Sequence, residues 1–276
     1  MKAFPLPRAA LVNRERTDPV AISERANAAL FHGPPAYLAA TPWTPGWALF
    51  TTLAIVAAGI AVALLLVGGI VPLGLPGQGR WLPASQEIAE LATLGIWQAS
   101  TIGLTILASA MPGGRVADVL GLRAPAGTPA LYPCALLLMA VLQVTINIVQ
   151  YYLVPHDTFA DLRPFVKFFT GSEWVLALIV VGIGAPLSEE LLFRGFLLPA
   201  LAQSRLGFLG AALVSTGLWT ALHAGYSVAG IVEVFVIGLF FSWLLWRTGS
   251  LRVPIFCHAV YNSLLVIMLR YVPLPA

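Results

Sequence analysis

Charge is scarce in this chain. Only 10% of its 276 residues are charged, 15 lysines and arginines against 12 aspartates and glutamates, where a soluble domain carries about 25%. With 59% of residues hydrophobic and a mean hydropathy of +0.87, a water-soluble globular domain is excluded. Cysteine is scarcer still: Cys134 and Cys257 both fall inside apolar runs, which excludes a disulfide framework and a cysteine-based metal site and leaves two small buried hydrophobes. The first 46 residues contain no apolar core after a basic start, so a cleaved signal peptide is not expected. No internal repeat is visible, which argues against an inverted-repeat transporter. A His-Glu-x-x-His helix is also absent, removing the simplest zinc-hydrolase pattern.

Apolar sequence is abundant, in runs long enough to cross the ~30 Å hydrocarbon layer of a bilayer. Seven spans are predicted, at about Trp47–Ile70, Ala84–Met111, Pro129–Leu153, Ser172–Gln203, Leu206–His223, Ser227–Trp246 and Pro254–Tyr271. The expected fold is an all-α polytopic membrane protein, with a polar arm over residues 1–46 and an integral-membrane domain over 47–276. Lys2, Arg8, Arg14, Arg16 and Arg25 put five basic residues on the arm. Arg115, Arg123, Arg205, Arg247 and Arg252 share its side when the spans alternate, against Arg80, Arg163, Lys167 and Arg270 opposite. The positive-inside rule then predicts a cytoplasmic N-terminus, in what is expected to be the cell membrane. Trp43, Trp246 and Tyr271 lie near span ends and read as interfacial aromatics. Gln143, Thr145 and Asn147 read as interhelical packing groups, and Glu233 as a helix-pairing or cavity-facing residue.

Against that background, Ser188-Glu189-Glu190-Leu191-Leu192-Phe193-Arg194-Gly195 sets three ionised side chains inside an apolar span. Each would cost roughly 2.5–3.5 kcal/mol at a bilayer centre on insertion scales, so the cluster points to a functional site. Glu190 and Arg194 are four residues apart and share a helix face, where they can neutralise one another. That leaves Glu189 on another face as the candidate general base, with Glu190 and Arg194 supporting it. His258 and Asn262, also four apart, can aim two N–H donors at one developing oxyanion. His223 can hold or deprotonate a water. A depth check on straight helices, at ~1.5 Å per residue, places Glu189 and His223 roughly 21 and 26 Å from the inner ends of their spans, but His258 and Asn262 only roughly 6 and 12 Å. Straight spans would not bring the four together.

The run Glu189-Glu190-x-x-x-Arg194, then Trp219-x-x-x-His223, then His258-x-x-x-Asn262 resembles the CAAX-protease and bacteriocin-processing (CPBP) family of intramembrane endopeptidases, to which the Ras-converting prenyl-protein proteases belong. Phe193-Arg194-Gly195 and the Gly249-Ser250-Leu251 turn add to the likeness, which covers a core at about 172–272. Trp219 departs from the family, whose second motif usually begins with Phe; aromatic for aromatic is expected to preserve packing. The resemblance implies that Glu189 and His223 activate water, that His258 and Asn262 stabilise the oxyanion, and that Glu190 and Arg194 support the site. The family has been described as both metal-dependent and glutamate-dependent. Glu189, His223 and His258 are therefore candidate ligands for a divalent ion such as zinc with an open fourth position.

The expected partners are a peptide or protein substrate, such as a prenylated tail or a bacteriocin-type precursor, and the lipid bilayer, but not nucleic acid. Two other readings fit parts of the pattern. One is a catalytically silent membrane protein acting in immunity or partner interaction. The other is an ion-coupled transporter using Glu189, Glu190 and Glu233 as carrier carboxylates.

Overall fold

The computed structural model describes residues 30–32, 35–70, 86–111, 113, 115–125, 128–155 and 159–274. The basic residues of the arm from Lys2 to Arg25, the turn around Arg80, and His156 lie outside them. The described residues are helical, without strands. Seven apolar helices carry the fold: α1 (Pro45–Ile70), α2 (Gln86–Ala110), α3 (Leu131–Leu153), α4 (Trp174–Ala202), α5 (Gly207–Ala221), α6 (Val228–Thr248) and α7 (Arg252–Tyr271). Among the described residues six are long and apolar enough to cross a membrane, so the chain is an all-α polytopic membrane protein.

The predicted fifth span is corrected. α5 has 15 residues, about 22 Å of helix, because the chain turns over from Leu222 to Gly225 and leaves His223 beyond the helix end. The alternation that sets the two ends on opposite sides therefore depends on the shortest helix.

Local chemistry fixes several helix ends. Pro45 occupies the first turn of α1, where a missing N–H costs nothing, and the Thr44 hydroxyl accepts from Trp47 N at 3.3 Å. Ser227 caps α6 by accepting from Gly230 N at 3.0 Å, the expected N-cap chemistry. α6 ends on Gly249 at φ +64°, a left-handed conformation that suits glycine.

α4 is the centre of the molecule and is not a regular α-helix. Its segments Leu178–Gly184 and Glu190–Leu197 run as π turns, a form that concentrates at functional sites. Pro186 lacks an N–H, which frees carbonyls one turn earlier. Those carbonyls find partners on α7: Asn262 Nδ2 donates to Val181 O at 3.1 Å and Ser263 Oγ to Gly182 O at 3.4 Å. The two helices meet closely because residue 182 is glycine; a Cβ there would sit 2.7 Å from Ser263 Oγ. Further along, Phe193 O accepts from Ser215 Oγ at 2.8 Å and Phe196 O from Trp43 Nε1 at 3.3 Å. A widened helix thus keeps its backbone satisfied with side chains from its neighbours.

Trp43 is also a correction. It is 7% exposed and stacks on Phe196 with centroids 4.5 Å apart, so it belongs to the core and not to an interfacial belt. The residues before it dock as well: Ala36 N and Tyr37 N donate to Arg247 O and Trp246 O, and Arg247 Nη2 to His32 O at 2.6 Å.

Candidate active site

The structure brings Glu189, His223, His258 and Asn262 to the wall of one cavity of about 380 Å³. The depth check fails at the start of α7. The turn from Thr248 to Leu251 does not lie at the surface; Ser250 and Leu251 are fully buried. Leu251 N donates to Gly121 O at 2.9 Å and Ser250 Oγ to Arg123 O at 2.6 Å, so the loop from Val116 to Arg123 covers that turn. α7 therefore begins beneath that segment, with Leu251 and Val253 buried and Arg252 exposed. The π turns of α4 also advance less per residue than the α-helical rise assumed by the check.

Glu190 and Arg194 are both wholly buried and pair at 3.1 Å. Arg194 Nη2 donates to Gly238 O at 3.2 Å, and its guanidinium lies 4.3 Å above the Trp219 ring. A Cβ at 238 would come within 2.7 Å of that guanidinium, so only glycine lets the α6 backbone approach. Such pairing and stacking are what make a buried charge tolerable.

His258 spans the two carboxylates. Nδ1 lies 3.0 Å from Glu190 Oε1 and Nε2 lies 3.9 Å from Glu189 Oε2, while the ring stacks on Phe241 at 4.7 Å. Glu189 Oε2 accepts from Trp219 Nε1 at 2.7 Å. Trp219, expected only to preserve packing, therefore supplies a hydrogen bond that phenylalanine could not. His223 Nδ1 lies 3.2 Å from Trp219 O; a carbonyl only accepts, so Nδ1 bears a proton, and in the neutral form of the ring Nε2 is the acceptor. Asn262 lines the cavity with one amide hydrogen committed to Val181 O and the other left for a ligand.

The opposite wall is built by α3 and α6. Glu233 Oε1 accepts from Gln143 Nε2 at 2.6 Å and Oε2 from Gln150 Nε2 at 2.8 Å. Gln143 also donates to Asn147 Oδ1 at 3.1 Å. Positions 143, 147 and 150 form one stripe of α3 at helical spacing, a signal present in the sequence with Gln150 as its overlooked member. Asp161 accepts from Ser227 N and Oγ at 2.7 and 2.8 Å, joining the short 3-10 helix Ala160–Phe165 to the start of α6. Tyr226 packs edge-on against His223 at 5.2 Å. Burial, with Glu189, Asp161 and Glu233 nearby, pushes its hydroxyl above the usual tyrosine range, keeping it a neutral donor.

A catalytic ion on Glu189, His223 and His258 does not fit this arrangement. Among the described residues no three His, Cys, Asp or Glu side chains form a group that could hold a metal.

Comparison with known proteins singles out the same part of the chain. Residues 171–264 match the family described as type II CAAX prenyl endopeptidase Rce1-like. The "Putative membrane peptidase YdiL" of Bacillus subtilis (strain 168) is 33% identical over 93 residues, covering 34% of this chain and 37% of that protein. An "Uncharacterized 24.3 kDa protein" of Escherichia coli is 38% identical over 94 residues, covering 33% of this chain and 42% of that protein. The chain thus spans about two fifths of the length of the curated relatives it matches. No solved structure matches it significantly.

Proposed function

We propose that this chain, whose residues 171–264 belong to the CPBP family of membrane proteases, is an intramembrane endopeptidase acting through a glutamate-activated water. The observation that carries this reading is the convergence of Glu189, His223, His258 and Asn262 on one cavity. A water between Glu189 and His223 Nε2 gives a proton to the Glu189 carboxylate and attacks the scissile carbonyl carbon. The tetrahedral oxyanion is met by His258 and by the second amide hydrogen of Asn262. Because Nδ1 of His258 faces Glu190, Nε2 donates only when the ring is an imidazolium. Glu189 then returns the proton to the leaving amine as the C–N bond breaks, with no acyl-enzyme. Trp219 orients the base, and Glu190 with Arg194 orients His258. No step passes through a metal. The substrate is a peptide or protein segment, with a prenylated tail and a bacteriocin-type precursor as the classes that kinship suggests. The placement proposed is the cell membrane, with the N-terminus cytoplasmic.

The test is cleavage of a peptide library by purified protein in liposomes, comparing wild type with Glu189→Gln and His258→Ala, each with and without a chelator. Wild type is expected to cleave, with both variants at least a hundredfold slower and the chelator without effect. Undiminished cleavage by Glu189→Gln would remove the proposed base.

A further inference from the structure

The mechanism leaves one carboxylate of the cavity unused. Glu233 lies on α6, half-buried, with each oxygen held by a carboxamide of α3. Among the described residues no lysine or arginine pairs with it, and none lines the cavity, which also presents Asp161 and Glu189. Helix pairing explains the hydrogen bonds but not the charge. A glutamine at 233 could join α3 to α6 without placing an ion among apolar spans, which is costly. A second observation points to a missing donor. Gln143 is 9% exposed and lines the cavity, yet its Oε1 has no hydrogen-bond partner. Its Nε2 is fixed as the donor by the Glu233 carboxylate and by Asn147 Oδ1, so the oxygen is an unfilled acceptor and not a misassigned amide. An unpaired buried acceptor beside an uncompensated carboxylate is completed by a cationic group with several N–H donors.

We propose that Glu233, held by Gln143 and Gln150, forms a specificity subsite for a lysine or arginine side chain of the peptide substrate, close to the scissile bond. The proposal rests on the endopeptidase reading and names the substrate class of that same cavity. Glu233 lines the same cavity as Glu189 and Tyr226, so a basic side chain on Glu233 belongs to the peptide segment held at the reacting site.

The test uses the full chain in liposomes and pairs of capped peptides that differ only by arginine or its neutral isostere citrulline. Wild type is expected to cleave the arginine peptide with a kcat/KM at least tenfold higher than its partner. Glu233→Gln brings that ratio to about one. The peptide swap in the wild-type chain needs no variant to fold. Binding of the same pair, followed by equilibrium dialysis, needs no turnover, and the arginine peptide is expected to bind at least tenfold tighter. Preferential binding without cleavage in any peptide would sink the endopeptidase reading and keep the subsite. Cleavage or binding with equal preference for the two peptides, or a preference unchanged in Glu233→Gln, overturns the subsite.

Discussion

The α4–α7 wall and the α3–α6 wall of the cavity each hold a carboxylate among apolar helices, and they hold it by different means. Behind the first wall Glu190, wholly buried, meets a full positive charge, Arg194, which is capped by a backbone carbonyl and an aromatic face. On the second, Glu233 meets only neutral amides. A neutralised carboxylate can orient a neighbour, as Glu190 orients His258, without attracting a charged ligand. An amide-held carboxylate keeps its field and can recognise one. Glu189 stands between these cases, holding one indole hydrogen bond and facing His258 at 3.9 Å, which suits a group that must take up and release a proton.

The largest expected effect tests the base itself. Glu189→Gln keeps the shape of the side chain and removes its basicity, and kcat in the liposome assay is expected to fall by about two to four orders of magnitude, the usual contribution of a positioned base. Breaking the neutralised pair comes next. Arg194→Leu strands Glu190 and is expected to cost about 3–5 kcal/mol in denaturant unfolding, whereas replacing both Glu190 and Arg194 by leucine recovers most of that stability. The double variant remains inactive because His258 loses its anchor; active double variant would make the pair purely structural. A smaller effect is expected from Trp219→Phe, which keeps the aromatic face under Arg194 but removes the donor to Glu189. A hydrogen bond to a charged group contributes about 1.5–3 kcal/mol to stability, so unfolding should shift by about that much, while kcat drops roughly ten- to hundredfold with KM little changed. The smallest belongs to the second wall: Gln143→Leu removes one of two amide donors from Glu233, and unfolding should shift by about 1–2 kcal/mol.

Much of this site is legible in the sequence because its residues are the ones an apolar chain can least afford. Glu189, Glu190, Arg194, His223, His258 and Asn262 stand out against their surroundings, and the i,i+4 spacing of Glu190 and Arg194 correctly pairs them. Features that depend on backbone departures from regular helix are not legible. The depth check assumes that α7 begins at the surface, and nothing in Gly249-Ser250-Leu251 states that the loop from Val116 to Arg123 will cover it. Pro186 hints that α4 is irregular, but the use of Asn262 and Ser263 to satisfy the freed carbonyls requires knowing that α7 lies alongside. Trp219 is instructive in another way. Its difference from the family's usual phenylalanine is visible, and the consequence follows from one N–H that an argument from packing alone passes over. Trp43 reads as interfacial by its position near a span end, while its partner Phe196 lies 153 residues away.

The π turns of α4 have a consequence for how the gene encoding this chain can change. Each one holds more residues per turn than its α-helical neighbours, so the alignment of Glu189 and Glu190 with the residues behind them is a matter of residue count as well as identity. Deleting one residue between Glu190 and Leu197 would let that stretch relax to an ordinary α turn, so the residues beyond it could stay in phase while those within it rotate by up to about 100°. Arg194 would leave Gly238, and Phe196 would leave Trp43. A point substitution in this helix alters one contact, whereas a change of length shifts several together.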